Sequence, residues 1–251
     1  MSTPEIISTL PSLHTFLSSI TPSTTLYLDL EGTNLGRHGT ISIITALLQP
    51  QNTSHLIDIL TLSKQAFTSV PQDGGSQTLQ SILESPSIKK VLWDVRADAD
   101  ALFALYNVRL AGVFDLQLLE ILARPQGQSK KFVRGLNKCI EYSLPMDMAQ
   151  KAQWLAIKQA GRAAMDAARD GGGENGFVVR PMAAGTVQYC VNDVLLLPGL
   201  ADVYLRRFVG TRLNEAMAKV YAGSEKRLEE ARSTGFVAGA RDNALSPWKD
   251  E

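Results

Sequence analysis

Two carboxylates spaced two residues apart are the first sign of chemistry in this chain. Asp29 and Glu31 belong to the run Leu26-Tyr27-Leu28-Asp29-Leu30-Glu31, where leucines alternate with other residues. That alternation fits a strand, whose side chains point to opposite faces with a period of two. Both acids then project from one face, where they repel and raise each other's pKa unless a cation neutralises them. Hard oxygen ligands at this spacing suit Mg²⁺ or Mn²⁺. Taken alone, the pair reads equally well as two ordinary acids on a solvent-facing strand. The turn-rich break Gly32-Thr33-Asn34-Leu35-Gly36 shifts the balance. It places the pair at the end of a strand beside a loop, where sites are usually built.

Three further residues extend the constellation. Asp98 lies at the start of a helix that follows a short apolar strand, Lys89 to Trp93. Its neighbours Asp94 and Asp100 read as helix-start and surface residues. Asp193 follows Tyr189 by four positions in a helical stretch, so both project from one helical face. A tyrosine and an aspartate at this spacing are common by chance, and the tyrosine alone reads as core packing. The order of these residues along the chain, each on a suitable element, is the stronger signal.

These residues must be positioned by the rest of a chain of 251 residues that is 45% hydrophobic, enough for one substantial core. Its 25 basic and 25 acidic residues balance, so no global basic field advertises nucleic acid. A local groove can still be basic on a neutral protein. Cys139 and Cys190 have no metal-ligand spacing and lie in apolar helical patterns, as buried reduced thiols do. No apolar run approaches the roughly 18 residues needed to span a bilayer. No basic residue precedes Arg37, which argues against a secretory or mitochondrial leader. The expectation is a soluble, intracellular protein, cytoplasmic or nuclear.

Hydrophobic periodicity predicts a short helix within 4–20, then strands at 25–30, 40–48 and 54–59. Strands this close in sequence favour antiparallel pairing. The segment 60–88 reads as helical and polar. A brief strand at 112–114 ends at Asp115, a candidate helix cap. Helices follow at 130–142, 147–168, 183–197 and 211–232, with Pro198 expected to kink or divide its element. The glycine-rich stretch 171–176 reads as the most flexible loop, and the residues after Ser233 as a loose tail to which Pro247-Trp248 could dock. The expected fold class is α/β: a mixed sheet with early antiparallel strands, flanked by helices, with a helical C-terminal half. The expected division is a helical lead-in at 1–24, a main domain at 25–210, and a C-terminal helix and tail at 211–251.

Three stretches together resemble one family. LYLDLEGT (26–33), KKVLWDVRADADAL (89–102) and VQYCVND (187–193) are similar to the three motifs of DEDD-superfamily 3′–5′ exonucleases. The match is to the DEDDy branch typified by RNase D, on a ribonuclease H-like fold. GVFDLQLLE (112–120) and the run from Phe177 to Leu200 also look like that family, and the resemblance spans Leu26 to Tyr204. It implies that Asp29, Glu31, Asp98 and Asp193 bind two divalent cations, Mg²⁺ or Mn²⁺, and that Tyr189 orients the attacking water. By the family pattern Asp29 bridges the ions, Glu31 and Asp193 complete one ion's site, and Asp98 holds the other through its waters. Trp93 departs from the pattern, standing where many relatives carry histidine.

The resemblance implies hydrolysis at the 3′ end of single-stranded nucleic acid, RNA or DNA. A non-catalytic nucleic-acid-binding or scaffolding protein on the same fold is the alternative, and a phosphohydrolase of small nucleotides is a third. Candidate contacts to the strand are Gly32, Thr33 and Asn34 after the first motif, together with Lys130, Arg134, Lys138 and Arg180. Lys130, Arg134 and Lys138 fall at i, i+4 and i+8, one continuous row if the segment is helical. Such a row is most often just a solvated helix face. Arg180 reads either as a phosphate contact or as half of a structural ion pair.

Overall fold

The computed structural model describes residues 4–71, 75–170 and 176–248, with the side chains of 164–170 excepted. Most of the glycine-rich stretch expected to be a flexible loop, 171–175, lies outside the described residues.

The chain begins with a strand where the sequence suggested only a helix. β1 (Glu5–Ile7) precedes α1 (Leu10–Ser18), and Thr9 caps that helix by accepting from the Ser12 backbone N–H. Three residues are too few for periodicity to register a strand. Pairing with β4 creates it, in parallel register from Glu5 opposite His55 to Ile7 opposite Ile57. Next come β2 (Thr25–Glu31), β3 (Ile43–Gln49) and β4 (Thr53–Asp58), and both of their pairings are antiparallel, as the short connections require. The polar segment after them holds three short helices, α2 (Ile59–Leu62), α3 (Gln65–Thr68) and α4 (Leu79–Glu84).

Then β5 (Lys89–Leu92) leads into α5 (Arg96–Tyr106), and β6 (Val113–Asp115) into α6 (Leu116–Leu122). These strands extend the sheet in parallel, giving the order β1-β4-β3-β2-β5-β6. The fold is the mixed sheet flanked by helices that the sequence implies. Asp115 caps α6 as expected, its carboxylate accepting from the Gln117 N–H at 3.1 Å.

The remaining α-helices among the described residues are α7 (Leu136–Ser143), α8 (Met148–Asp170), α9 (Ala184–Leu195), α10 (Leu197–Leu205) and α11 (Thr211–Arg232), and a 3-10 turn, Arg241–Ala244, follows them. Pro198 divides α9 from α10 and sits in the first turn of α10, where its missing N–H costs no helix bond. α11 packs on α5, β6 and α6. The larger apolar core lies among α1, α4, α5 and the sheet, and α6, α7 and α10 enclose a second.

Two expectations fail here, for one reason. Residues 130–135 are not helical, since α7 starts only at Leu136 after an extended Gly135. Through Trp248 the tail is not loose. Val133 donates to the Ala244 carbonyl at 3.0 Å and Ser246 donates to that of Lys131 at 2.9 Å. The tail thus pairs with the segment expected to be helical, and Trp248 packs partly buried on the second core. Lys130, Arg134 and Lys138 therefore form no helical row.

Candidate active site

β2 is the middle of the site because its two faces divide cleanly. Leu26, Leu28 and Leu30 are buried in the larger core, while Tyr27, Asp29 and Glu31 face the other side. The turn after Glu31 is closed by backbone bonds, Ser42 N–H to the Glu31 carbonyl at 2.8 Å and Thr40 N–H to that of Thr33 at 3.0 Å. Gly32 is needed there, because a Cβ on it would lie 1.9 Å from the Thr40 carbonyl oxygen. Arg37 anchors the far side of the loop. Its Nε donates to Asp100 Oδ1 at 2.8 Å, and its Nη2 to the Ser233 carbonyl at 2.7 Å beyond α11. Asp100 is therefore a buried ion-pair partner, not the surface residue expected.

α9 lies across β2, β3 and β4 and brings the last motif to the first. Carboxylate oxygens of Asp29, Glu31 and Asp193 come within 4.8 Å of one another. Asp98 stands outside this tight group, buried at the first turn of α5, yet close enough to interact electrostatically with Asp29. Its helix is set by Asp115, which accepts from the backbone N–H groups of Asp94 and Val95, each at 3.1 Å. Asp94 adopts φ +59°, a left-handed conformation that aspartate tolerates better than most residues. Arg227 of α11 reaches the same junction, donating to Asp115 Oδ2 at 2.6 Å. The C-terminal helix thus helps to fix the turn from which Asp98 projects.

Burial and mutual repulsion govern the protonation of these acids. Burial pushes Asp29 up to about 7, the charge of Asp193 adds to this, and Lys158 opposes it. Glu31 and Asp98 are raised well above the carboxylate range, first by burial and then by Asp29. An all-oxygen group of repelling, desolvated carboxylates is what a hard divalent cation neutralises. The donor set therefore fits Mg²⁺ or Mn²⁺.

Tyr189 is 9% exposed and packs beside Phe177, with ring centroids 6.1 Å apart. Burial and then Glu31 raise its pKa, so its hydroxyl stays protonated at neutral pH. Such a group can orient a water by hydrogen bonding but is no general base. Cys190 beside it is buried, as is Cys139, and both thiols are free.

Sequence reasoning passed over Lys158. Its ammonium, carried by α8, donates to both oxygens of Asp193, with 2.6 Å to Oδ2. It also stands 4.2 Å from the Tyr189 ring centroid. A signal was available, since Lys158 lies four residues after Trp154 and three before Gly161, on the buried stripe of the helix. A lysine in that stripe needs an anion or buried hydrogen-bond acceptors.

The proposed strand contacts are placed differently from one another. Gly32, Thr33 and Asn34 adjoin Glu31 in the closed turn. Arg180 forms the structural ion pair, its Nη2 lying 2.7 Å from Asp58 Oδ1 and its Nη1 donating to the carbonyls of Phe177 and Val179. Arg134 pairs with buried Glu120 at 2.9 Å. Lys138 is exposed on α7 and Lys130 half-buried in the preceding loop. Trp93, at the departure from the family pattern, packs partly buried on the second core.

A family model described as 3′–5′ exonuclease matches residues 4–205. Among curated proteins, the piRNA biogenesis protein EXD1 of Bombyx mori is 26% identical over 210 residues, covering 81% of this chain and 54% of that protein. EXD1 of Mus musculus is 34% identical over 92 residues, covering 37% of this chain and 14% of that protein. The chain thus spans about half the length of the Bombyx relative, and less of the mouse one. Among solved structures, Trypanosoma brucei RNase D in complex with GMP aligns with TM-score 0.74 at 19% identity, covering 97% of this chain and 69% of that one. The same enzyme with RNA U12 gives 0.71 at 19% identity, covering 92% and 70%. Escherichia coli RNase D gives 0.61 at 18% identity, covering 94% and 52%. These structures share its fold. Among the described residues, no helix is long and apolar enough to cross a membrane.

Proposed function

We propose, from the premise that this chain belongs to the 3′–5′ exonuclease family, that it removes nucleotides from the 3′ end of single-stranded nucleic acid with two divalent cations. The observation that carries this is the convergence of Asp29, Glu31 and Asp193 to within 4.8 Å, from motifs more than 160 residues apart. Asp29, Glu31 and Asp193 would hold one cation, and Asp29 with Asp98 the other. Two such ions, when bound, supply a hydroxide nucleophile at neutral pH and stabilise the departing 3′ oxyanion. Tyr189 would hold the attacking water in line through its protonated hydroxyl. The closed turn from Gly32 to Thr40 would fix the strand end against β2.

RNA is the first substrate to test, because a similar fold has been seen with RNA U12. One contact favours a second reading, a nucleic-acid-binding protein without turnover: Lys158 already neutralises Asp193. The deciding experiment compares nucleotide release from a 3′-labelled single strand, RNA or DNA, with Mn²⁺, Mg²⁺ or a chelator. Metal-dependent release that stops with Asp29→Asn supports the exonuclease. Binding without release under every metal condition supports the second reading.

A further inference from the structure

Lys158 has an anion partner, but that partner is one of the three converging acids. Its side chain is only 7% exposed, and its ammonium meets both oxygens of Asp193. On its other side lies the face of the Tyr189 ring, which favours a cation at 4.2 Å. The position is fixed by packing. Trp154, one turn earlier on α8, is 4% exposed and belongs to the second core. Gly161, nearly one turn later, admits the Tyr189 ring where a Cβ would stand 2.0 Å from its Cδ2. Lys158 is thus held between two anchored points of one helix.

A divalent ion that takes Asp193 as ligand needs an oxygen of that carboxylate, and its charge would stand beside the ammonium. Two cations so close in a desolvated place repel strongly. We infer that Lys158 is an internal cation that competes with a divalent ion for Asp193, so that filling this half of the site requires the ammonium to withdraw. The inference rests on the reading of Asp29, Glu31 and Asp193 as a cation site. Withdrawal means either a turn of the lysine chain toward solvent or a shift of α8. Because α8 also carries Gly161, a shift of the helix would release Tyr189 as well. The contact is autoinhibitory: the chain supplies its own counter-ion until metal displaces it.

The test is Mn²⁺ binding by the whole chain at fixed pH, measured by titration calorimetry and by the EPR signal of free Mn²⁺. Lys158→Met and Lys158→Gln should each bind Mn²⁺ at least tenfold more tightly than the parent. Lys158→Arg, which keeps the charge, should bind about as weakly as the parent. Gln can still donate to Asp193, so it guards against a Met variant that does not fold. The rise in Tm on adding Mn²⁺ should also be larger without the lysine charge. Equal or weaker Mn²⁺ binding in the Gln variant, while Asp193→Asn still removes binding, overturns the competition and leaves the metal centre standing. Binding indifferent to both Asp29→Asn and Asp193→Asn, or no binding in any variant, overturns both.

Discussion

Gly161 of α8 leaves no room for a side chain against Tyr189, since a Cβ there would lie 2.0 Å from Cδ2 and 2.7 Å from Cγ of the ring. In an exposed helix interior, Gly→Ala stabilises by roughly 1 kcal/mol. Here the added methyl must displace the ring or lift the helix. Gly161→Ala should lower Tm and slow nucleotide release together. A higher Tm with unchanged release would mean that the ring and helix separate freely.

Tyr189→Phe removes the hydroxyl and keeps the ring that packs against α8 and Phe177. Metal binding should stay near that of the parent. The single-turnover rate should fall on the order of 10–10³-fold, as for loss of one group that positions a reactant. An unchanged single-turnover rate would reduce Tyr189 to a packing residue.

Asp29→Asn and Asp193→Asn should both abolish hydrolysis while the fold survives, but their effects on metal-free stability should differ in sign. Asp29 is a repelling carboxylate pushed up to about 7, so its neutral isostere should raise the metal-free Tm at pH 8. Asp193 pairs with buried Lys158, and its amide leaves that ammonium without its partner. Its Tm should fall. Thermal melts in a chelator compare the two directly, and turnover near that of the parent in either variant would sink the proposed site.

The acids also set a pH dependence. The folded-state pKa of Asp29, about 7, lies above its ordinary 3.8, so between these values the folded chain holds more protons than the unfolded one. Their contribution to stability is present in acid and lost as pH rises through about 7. Without metal, Tm should therefore slope downward across that window more steeply in the parent than in Asp29→Asn. Saturating Mg²⁺ should flatten the slope, because the cation binds the ionised form. Identical slopes in the parent and the variant would show that Asp29 is not the source.

The basic residues can be separated by stability before binding is measured. Glu120 is buried and takes both Arg124, at 2.5 Å, and Arg134, at 2.9 Å. Arg134→Gln should lower Tm, whereas Lys130→Gln and Lys138→Gln should leave it unchanged. If either lysine meets the strand, its loss should flatten the slope of log K against log[salt] by about 0.7. Release at saturating substrate should then stay constant, since such contacts hold ground and transition states alike. An unchanged salt slope would assign both lysines to solvation.

How much of this was legible in the sequence follows from the range of the physics involved. A period of two alone puts Asp29 and Glu31 on one face of β2, and a spacing of four puts Tyr189 and Asp193 on one face of α9. Asp115 declares itself as a cap, and Pro198 as a divider, because capping and the missing N–H are local properties. The short links between β2, β3 and β4 likewise impose antiparallel pairing. Tertiary structure decided the rest. β1 exists only because β4 offers it an edge, and residues 131–133 stay extended because 244–246 pair with them. Arg134, Asp100 and Arg180 find partners at sequence distances of 14, 63 and 122, which no local pattern encodes. Lys158 reaches Asp193 across 35 residues, and a helical stripe can show that a lysine is buried but not which carboxylate meets it. That choice depends on how α8 lies against α9, and it is settled by long-range packing.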